Sequence, residues 1–142
     1  MLNPKRVLAP VAATLAAALM VPISAGPAQA ASPITISGVQ YDSPGSDLGG
    51  NRSLNAEWVR LTNRGSRATA LTGWTLRDRA NHVYRFGTFK LGAGKSVVIH
   101  TGRGTNTAAH RYWRSGWYIW NNDGDRAVLK NKAGTTVSTR TW

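Results

Sequence analysis

EWVRLTNRGSRATALTGWTLRD, Glu57 to Asp78, decides the architecture. From Glu57 to Thr62 the side chains alternate: Glu57, Val59 and Leu61 share one face of an extended chain, Trp58 and Arg60 the other, which is the two-residue period of a strand. Asn63-Arg64-Gly65-Ser66 ends the run with turn formers. Leu71, Trp74 and Leu76 then mark a second strand, and Gly73 inside it signals a bulge or a close backbone approach.

The same grammar extends both ways along the chain. Ile34 to Ser37 and Val39 to Tyr41 read as an opening strand, followed by a loop from Asp42 to Asn55 in which Gly, Pro, Ser and Asn crowd together. His82 to Phe86 alternates, with His82, Tyr84 and Phe86 on one face and Val83 and Arg85 on the other. Leu91-Gly92-Ala93-Gly94 turns the chain into the β-branched run Ser96 to Thr101. After the Gly-rich segment Gly102 to Asn106 come the aromatic stretch Tyr112 to Trp120 and a hairpin signal at Asp123-Gly124. Arg126 to Leu129 and Thr135 to Thr139 flank a last turn at Lys132-Ala133-Gly134. No stretch of 31–142 holds an amphipathic helical period for about three turns. The expectation is an all-β fold, an immunoglobulin-like antiparallel β-sandwich of about seven or eight short strands, with a small barrel as the alternative. Its core is expected from Val59, Leu61, Leu71, Trp74, Leu76, Tyr84, Phe86, Val97, Ile99, Trp120 and Leu129.

Residues 1–30 read as a signal peptide: Lys5 and Arg6, an uncharged apolar run, and the small-x-small site Ala28-Gln29-Ala30. This leaves 31–142 as one domain and predicts a secreted, extracellular protein with no membrane span after cleavage. Cysteine is absent, so the domain rests on apolar burial and hydrogen bonding without disulfides. The chain carries 18 Lys and Arg against 6 Asp and Glu, a formal charge of +12, and cleavage removes only two of the cations. Such a balance attracts polyanions: DNA, teichoic-type polymers or acidic polysaccharide.

The ordered set Glu57 to Gly65, Leu71 to Asp78, Tyr84-Arg85-Phe86, Leu91 to Gly94, His100 to Gly104, Trp120 to Asp125, Ala127 and Leu129 resembles a lamin tail domain, a module of nuclear lamins and of exported bacterial proteins. The resemblance covers most of 31–142. It implies an immunoglobulin-like fold, contacts with proteins, DNA or chromatin, and no catalytic residue; Trp74 and Trp120 fall at core positions of the family. Bacterial members often adjoin exported nucleases or other hydrolases.

Individual motifs give little chemistry. Gly92-Ala93-Gly94-Lys95-Ser96 looks like the end of a phosphate-binding loop, but Phe89 stands where that loop needs its first Gly. Asn121, Asp123 and Asp125 alternate like calcium ligands, yet Arg126 and Lys132 occupy the places where an EF-hand needs Gly and Glu, so a structural turn at Asp123 and Gly124 is favoured. His82, His100 and His110 have no zinc spacing. Glu57, the only glutamate, is expected to be a buried carboxylate satisfied by an Arg or a backbone amide. A non-enzyme without cofactor or metal is expected. Trp113 and Trp117, flanked by Arg111 and Arg114, either pack beneath a loop or stack on a ligand. The candidate binding residues are Arg103, Arg111, Trp113, Arg114 and Trp117, serving a polyanion (DNA or an anionic cell-surface polymer) or an extracellular protein. The alternative is a carbohydrate-binding module for neutral glycans.

Overall fold

The computed structural model describes residues 10, 12, 16–20, 22 and 31–142. Apart from those few positions, the signal segment and its cleavage site lie outside the described residues. The strands are β1 (Ile34–Gln40), β2 (Trp58–Asn63), β3 (Thr69–Ala70), β4 (Thr75–Arg77), β5 (Val83–Arg85), β6 (Lys90–Leu91), β7 (Ser96–His100), β8 (His110–Tyr112), β9 (Arg126–Lys130) and β10 (Thr136–Thr141), with one short helix, α1 (Asn51–Ala56).

The strands form two four-stranded sheets, ordered β1-β2-β7-β8 and β10-β9-β4-β5, and a small β3-β6 pair. The pattern of Glu57–Thr62 becomes β2, a central strand whose Val59 and Leu61 are fully buried and face Ile99 and Val97 across the ladder. From the second sheet, Leu76 pairs with Leu129 and both are fully buried. One apolar cluster fills the space between the sheets, completed by Leu91 of β6 and, from the connections, by Leu71, Trp74, Phe86, Phe89, Ile119 and Trp120. At one edge the Ile36 amide donates to the Ser138 hydroxyl (3.0 Å), joining β1 to β10. This is the all-β, immunoglobulin-like sandwich the patterning predicts. Gly73 lies not inside a strand, as expected, but in a turn between β3 and β4: it sits at φ 79°, a left-handed conformation that only Gly adopts freely, and it lets the Trp74 amide reach the Leu71 carbonyl so that both side chains enter the core.

Five further expectations change. The strands number more than seven or eight because two-residue ladders such as β3-β6 are too short to read from alternation. The sheets are not wholly antiparallel, since β8 runs parallel to β7. The Asp42–Asn55 loop ends in α1, whose Leu54 is buried; six residues are too few for a helical period to show. Asp123-Gly124 makes a turn but no hairpin: β8 lies in one sheet and β9 in the other, so the intervening chain crosses between them. Tyr84 is only half buried, packing edge-on against Phe86 (5.0 Å) at the margin of the core.

Candidate functional site

Two of the three buried acidic side chains, Glu57 and Asp125, hold the crossover. Glu57, 1% exposed, accepts at Oε1 from the Thr101 hydroxyl (2.6 Å) and from the backbone amides of Ile119 (2.8 Å) and Trp120 (3.2 Å). Its partners are therefore amides and a hydroxyl, with no arginine among them. Burial raises its pKa above 4.5, and the Asp47 charge adds to the rise, against the lowering effect of these hydrogen bonds. Asp125 accepts from the amides of Arg79 (2.9 Å), Asn121 (3.0 Å) and Arg126 (2.7 Å), while Asn121 Oδ1 accepts from the Asp123 amide (3.1 Å). Two of the oxygens that alternate like calcium ligands thus serve turn amides, as an Asx turn requires. Asp78 caps its own turn through the His82 amide (2.7 Å) and ring (2.6 Å).

The five residues expected to form one binding loop separate. Arg111 lies in β8 with its guanidinium 4.2 Å from the Phe89 ring centroid, and its Nε is buried without a partner. Trp113 packs against the core, with Tyr84 tilted at 5.8 Å and Trp120 edge-on at 5.8 Å. It is a packing residue rather than a stacking platform, because its amide donates to the His100 carbonyl (2.7 Å) and fastens this stretch along the end of β7. Arg103 and Arg114 are exposed, Arg114 at φ 65°. Burial raises the Tyr84 phenol above 10.0 against the opposing charges of Arg111 and Arg114, so both arginines stand near that ring. Trp117 lies elsewhere, 59% exposed, with its six-membered ring over Gly49.

A further basic surface involves none of these five. On the outer face of the second sheet, Arg77, Arg79, Arg126 and Lys130 line a groove of ≈ 480 Å³ with Asp78, Asn81, Val128, Thr136 and Thr139; the Asp78 carboxylate there is buried and taken up by His82. Arg77 bonds Asn81 through Nη1 (3.1 Å), and its Nε is buried and unpartnered. Among the described residues the ion pair found is His82–Asp78, so none of these cations is neutralised by a carboxylate. The pleat explains the spacing: Arg126, Val128 and Lys130 alternate along β9, and Arg77 of β4 pairs with Val128. That alternation was available in the sequence.

Over residues 27–142 the sequence matches the Lamin Tail Domain family. The chain belongs to this family. Comparison with curated proteins returns no match. The lamin tail domain is a non-catalytic immunoglobulin-like family, in keeping with buried carboxylates that are occupied by structural hydrogen bonds. This lamin tail domain also brings together residues its sequence does not pair. His100 and His110 meet at 2.9 Å, with His100 stacked on Tyr112 at 5.0 Å. Since His100 Nδ1 must donate to the Asn55 carbonyl (2.8 Å), its Nε2 accepts from His110 when neutral. Burial is the first cause, and the His110 charge a further one, lowering the His100 pKa from 6.5.

Proposed function

We propose that this lamin tail domain is an exported, non-catalytic binding module that holds a polyanion, DNA or an anionic cell-surface polymer, against the outer face of β4 and β9. The observation that carries this reading is the groove of Arg77, Arg79, Arg126 and Lys130, in which no cation is paired with a carboxylate. Arginine forks suit bidentate contact with phosphate oxygens. The groove offers no aromatic ring for stacking, so contacts are to a charged backbone and binding is independent of base sequence. Export rests on the basic, apolar and small-residue order of residues 1–30.

The test is binding to duplex DNA and to an anionic wall polymer over a salt series. Affinity should fall linearly with log salt, with a slope of about −0.9 for each DNA phosphate contacted. Absence of binding at low salt, or binding without a slope, removes the reading.

A second reading, a module for neutral glycans, is favoured by the exposed ring of Trp117. It predicts salt-insensitive binding that quenches tryptophan fluorescence.

A further inference from the structure

Tyr41, Asp47, Trp117, Tyr118, Asn122 and Asp123 form part of the wall of a cleft of ≈ 270 Å³ on the loops beside the crossover. Three observations give it a chemistry unlike the rest of the surface. The first is its rings. Trp117 is held over Gly49 and edge-on to Tyr118 (5.3 Å), yet stays 59% exposed, while Tyr41 is backed by a parallel stack with Trp142 (4.9 Å, 6°). Buttressed rings that keep a solvent-facing side present the negative face of an aromatic quadrupole.

The second is the distribution of acid. Of the chain's 6 acidic residues, Glu57, Asp78 and Asp125 are buried, leaving Asp42, Asp47 and Asp123 exposed. All three gather here: Asp47 and Asp123 in the wall, and Asp42 accepting from Asn122 Nδ2 (3.1 Å). On a protein of net charge +12, every exposed Asp or Glu side chain lies at this mouth, a local concentration of negative charge that favours a cation. The third is the state of the polar groups. The hydroxyls of Ser43 and Tyr118 are engaged with Ser53, and the amide of Asn122 with Asp42, while the Asn121 side-chain NH2 and the Tyr41 hydroxyl have no partner among the described residues. Among the described residues nothing donates to the carboxylates of Asp47 or Asp123. Ring faces beside free carboxylates suit a weakly hydrated cation.

We propose that this cleft is a second binding site, distinct in place and in sign from the basic groove, and that it takes a quaternary ammonium group. The rings of Trp117 and Tyr41 meet the methyl groups, and Asp47 and Asp123 supply the countercharge.

The experiment is a fluorescence and calorimetric titration of the full domain with choline chloride, against the uncharged isostere 3,3-dimethylbutan-1-ol at constant ionic strength. Choline should bind saturably at about millimolar concentration and perturb tryptophan emission, while the isostere should not. Asp47→Asn with Asp123→Asn should weaken choline about tenfold. Trp117→Ala should abolish the saturable signal, with melting curves confirming that both variants fold. Equal binding of choline and its isostere, an unweakened folded double variant, or no saturation by choline overturns the proposal. Tight binding of a neutral oligosaccharide that survives the double variant overturns it too, in favour of the glycan reading.

Discussion

On the outer face of β4 and β9 three of the four cations stand on strands, while in the cleft beside Trp117 the charged groups stand on loops. Strand residues two apart point the same way wherever the sheet goes, so Arg126 and Lys130 share a face by construction, and Arg77 joins them through one ladder register. The cleft gathers Tyr41, Asp47, Trp117 and Asp123 from separate loops, and nothing in local geometry requires them to meet. The two regions also treat charge differently. Cations on the sheet face stay near one another without counterions, whereas carboxylates are either buried on amides or collected at the cleft. The difference teaches that one face is specified by backbone period and the other by a tertiary joint, and the two should fail under different mutations.

The joint is Glu57, which ties the end of α1 to the Ile119–Trp120 crossover immediately after Trp117 and Tyr118. Glu57→Ala strands two buried amides and the Thr101 hydroxyl, and should cost about 3 kcal/mol in urea denaturation. Glu57→Gln keeps the acceptor and should cost roughly 1 kcal/mol. In both, the emission of the cleft tryptophans should change before polyanion binding does. The pH dependence carries a definite sign. Because burial raises the folded pKa of Glu57 above 4.5, its contribution is fully present below the unfolded value and is lost as pH rises through the folded one. Wild type should therefore lose stability relative to Glu57→Gln as pH climbs from about 4.5, and a difference that grows toward acid in favour of the Gln variant would contradict the burial argument.

The complementary cut is on the sheet face. Replacing Arg77, Arg126 and Lys130 together by Ala should lower affinity for DNA about a hundredfold at low salt and flatten the salt slope by about one unit for each phosphate no longer neutralised. Stability should fall by no more than about 1 kcal/mol, since Arg126 is exposed and Arg77 gives up one exposed hydrogen bond to Asn81 together with an unpartnered Nε. Choline titration should be unchanged in the same protein. If wild type binds DNA and the triple variant binds it equally well, the groove is not the site, and the exposed pair Arg103 and Arg114 becomes the next place to cut.

How far the sequence reveals these regions follows from the same contrast. Alternation in Glu57–Thr62 and Arg126–Leu129 is enough to place most of the core, because burial of one strand face dictates a period of two. The buried role of Glu57 was also legible, since it shares a face with Val59 and Leu61. The position of Trp113 was not. A run with Arg on either side looks like an exposed platform, and only the docking of this stretch along β7 turns its ring toward Tyr84 and Trp120. α1 escaped because a six-residue helix depends on tertiary anchoring of Leu54 rather than on its own pattern. The cleft escaped because Tyr41 and Trp117 are brought together by loops whose sequences carry no shared signal.

The mildest way to sharpen the contrast is a single methyl group. A Cβ on Gly49 would lie 2.3 Å from the Trp117 ring, and the residue sits at φ 73°. Gly49→Ala therefore meets two resistances: a left-handed backbone that disfavours Ala, and an indole that must move aside. The first costs about 1 kcal/mol. The second is cheap in energy, because the ring is already 59% exposed and can swing toward solvent. Stability should fall by about 1 kcal/mol, Trp117 emission should shift toward that of a solvated indole, and choline affinity should drop because the ring leaves the wall. DNA affinity should stay as in wild type, since no residue of the groove touches Gly49. An Ala variant with unaltered emission and intact choline binding would mean that the position of Trp117 is not set by its seat on Gly49, and that the cleft is looser than its geometry implies.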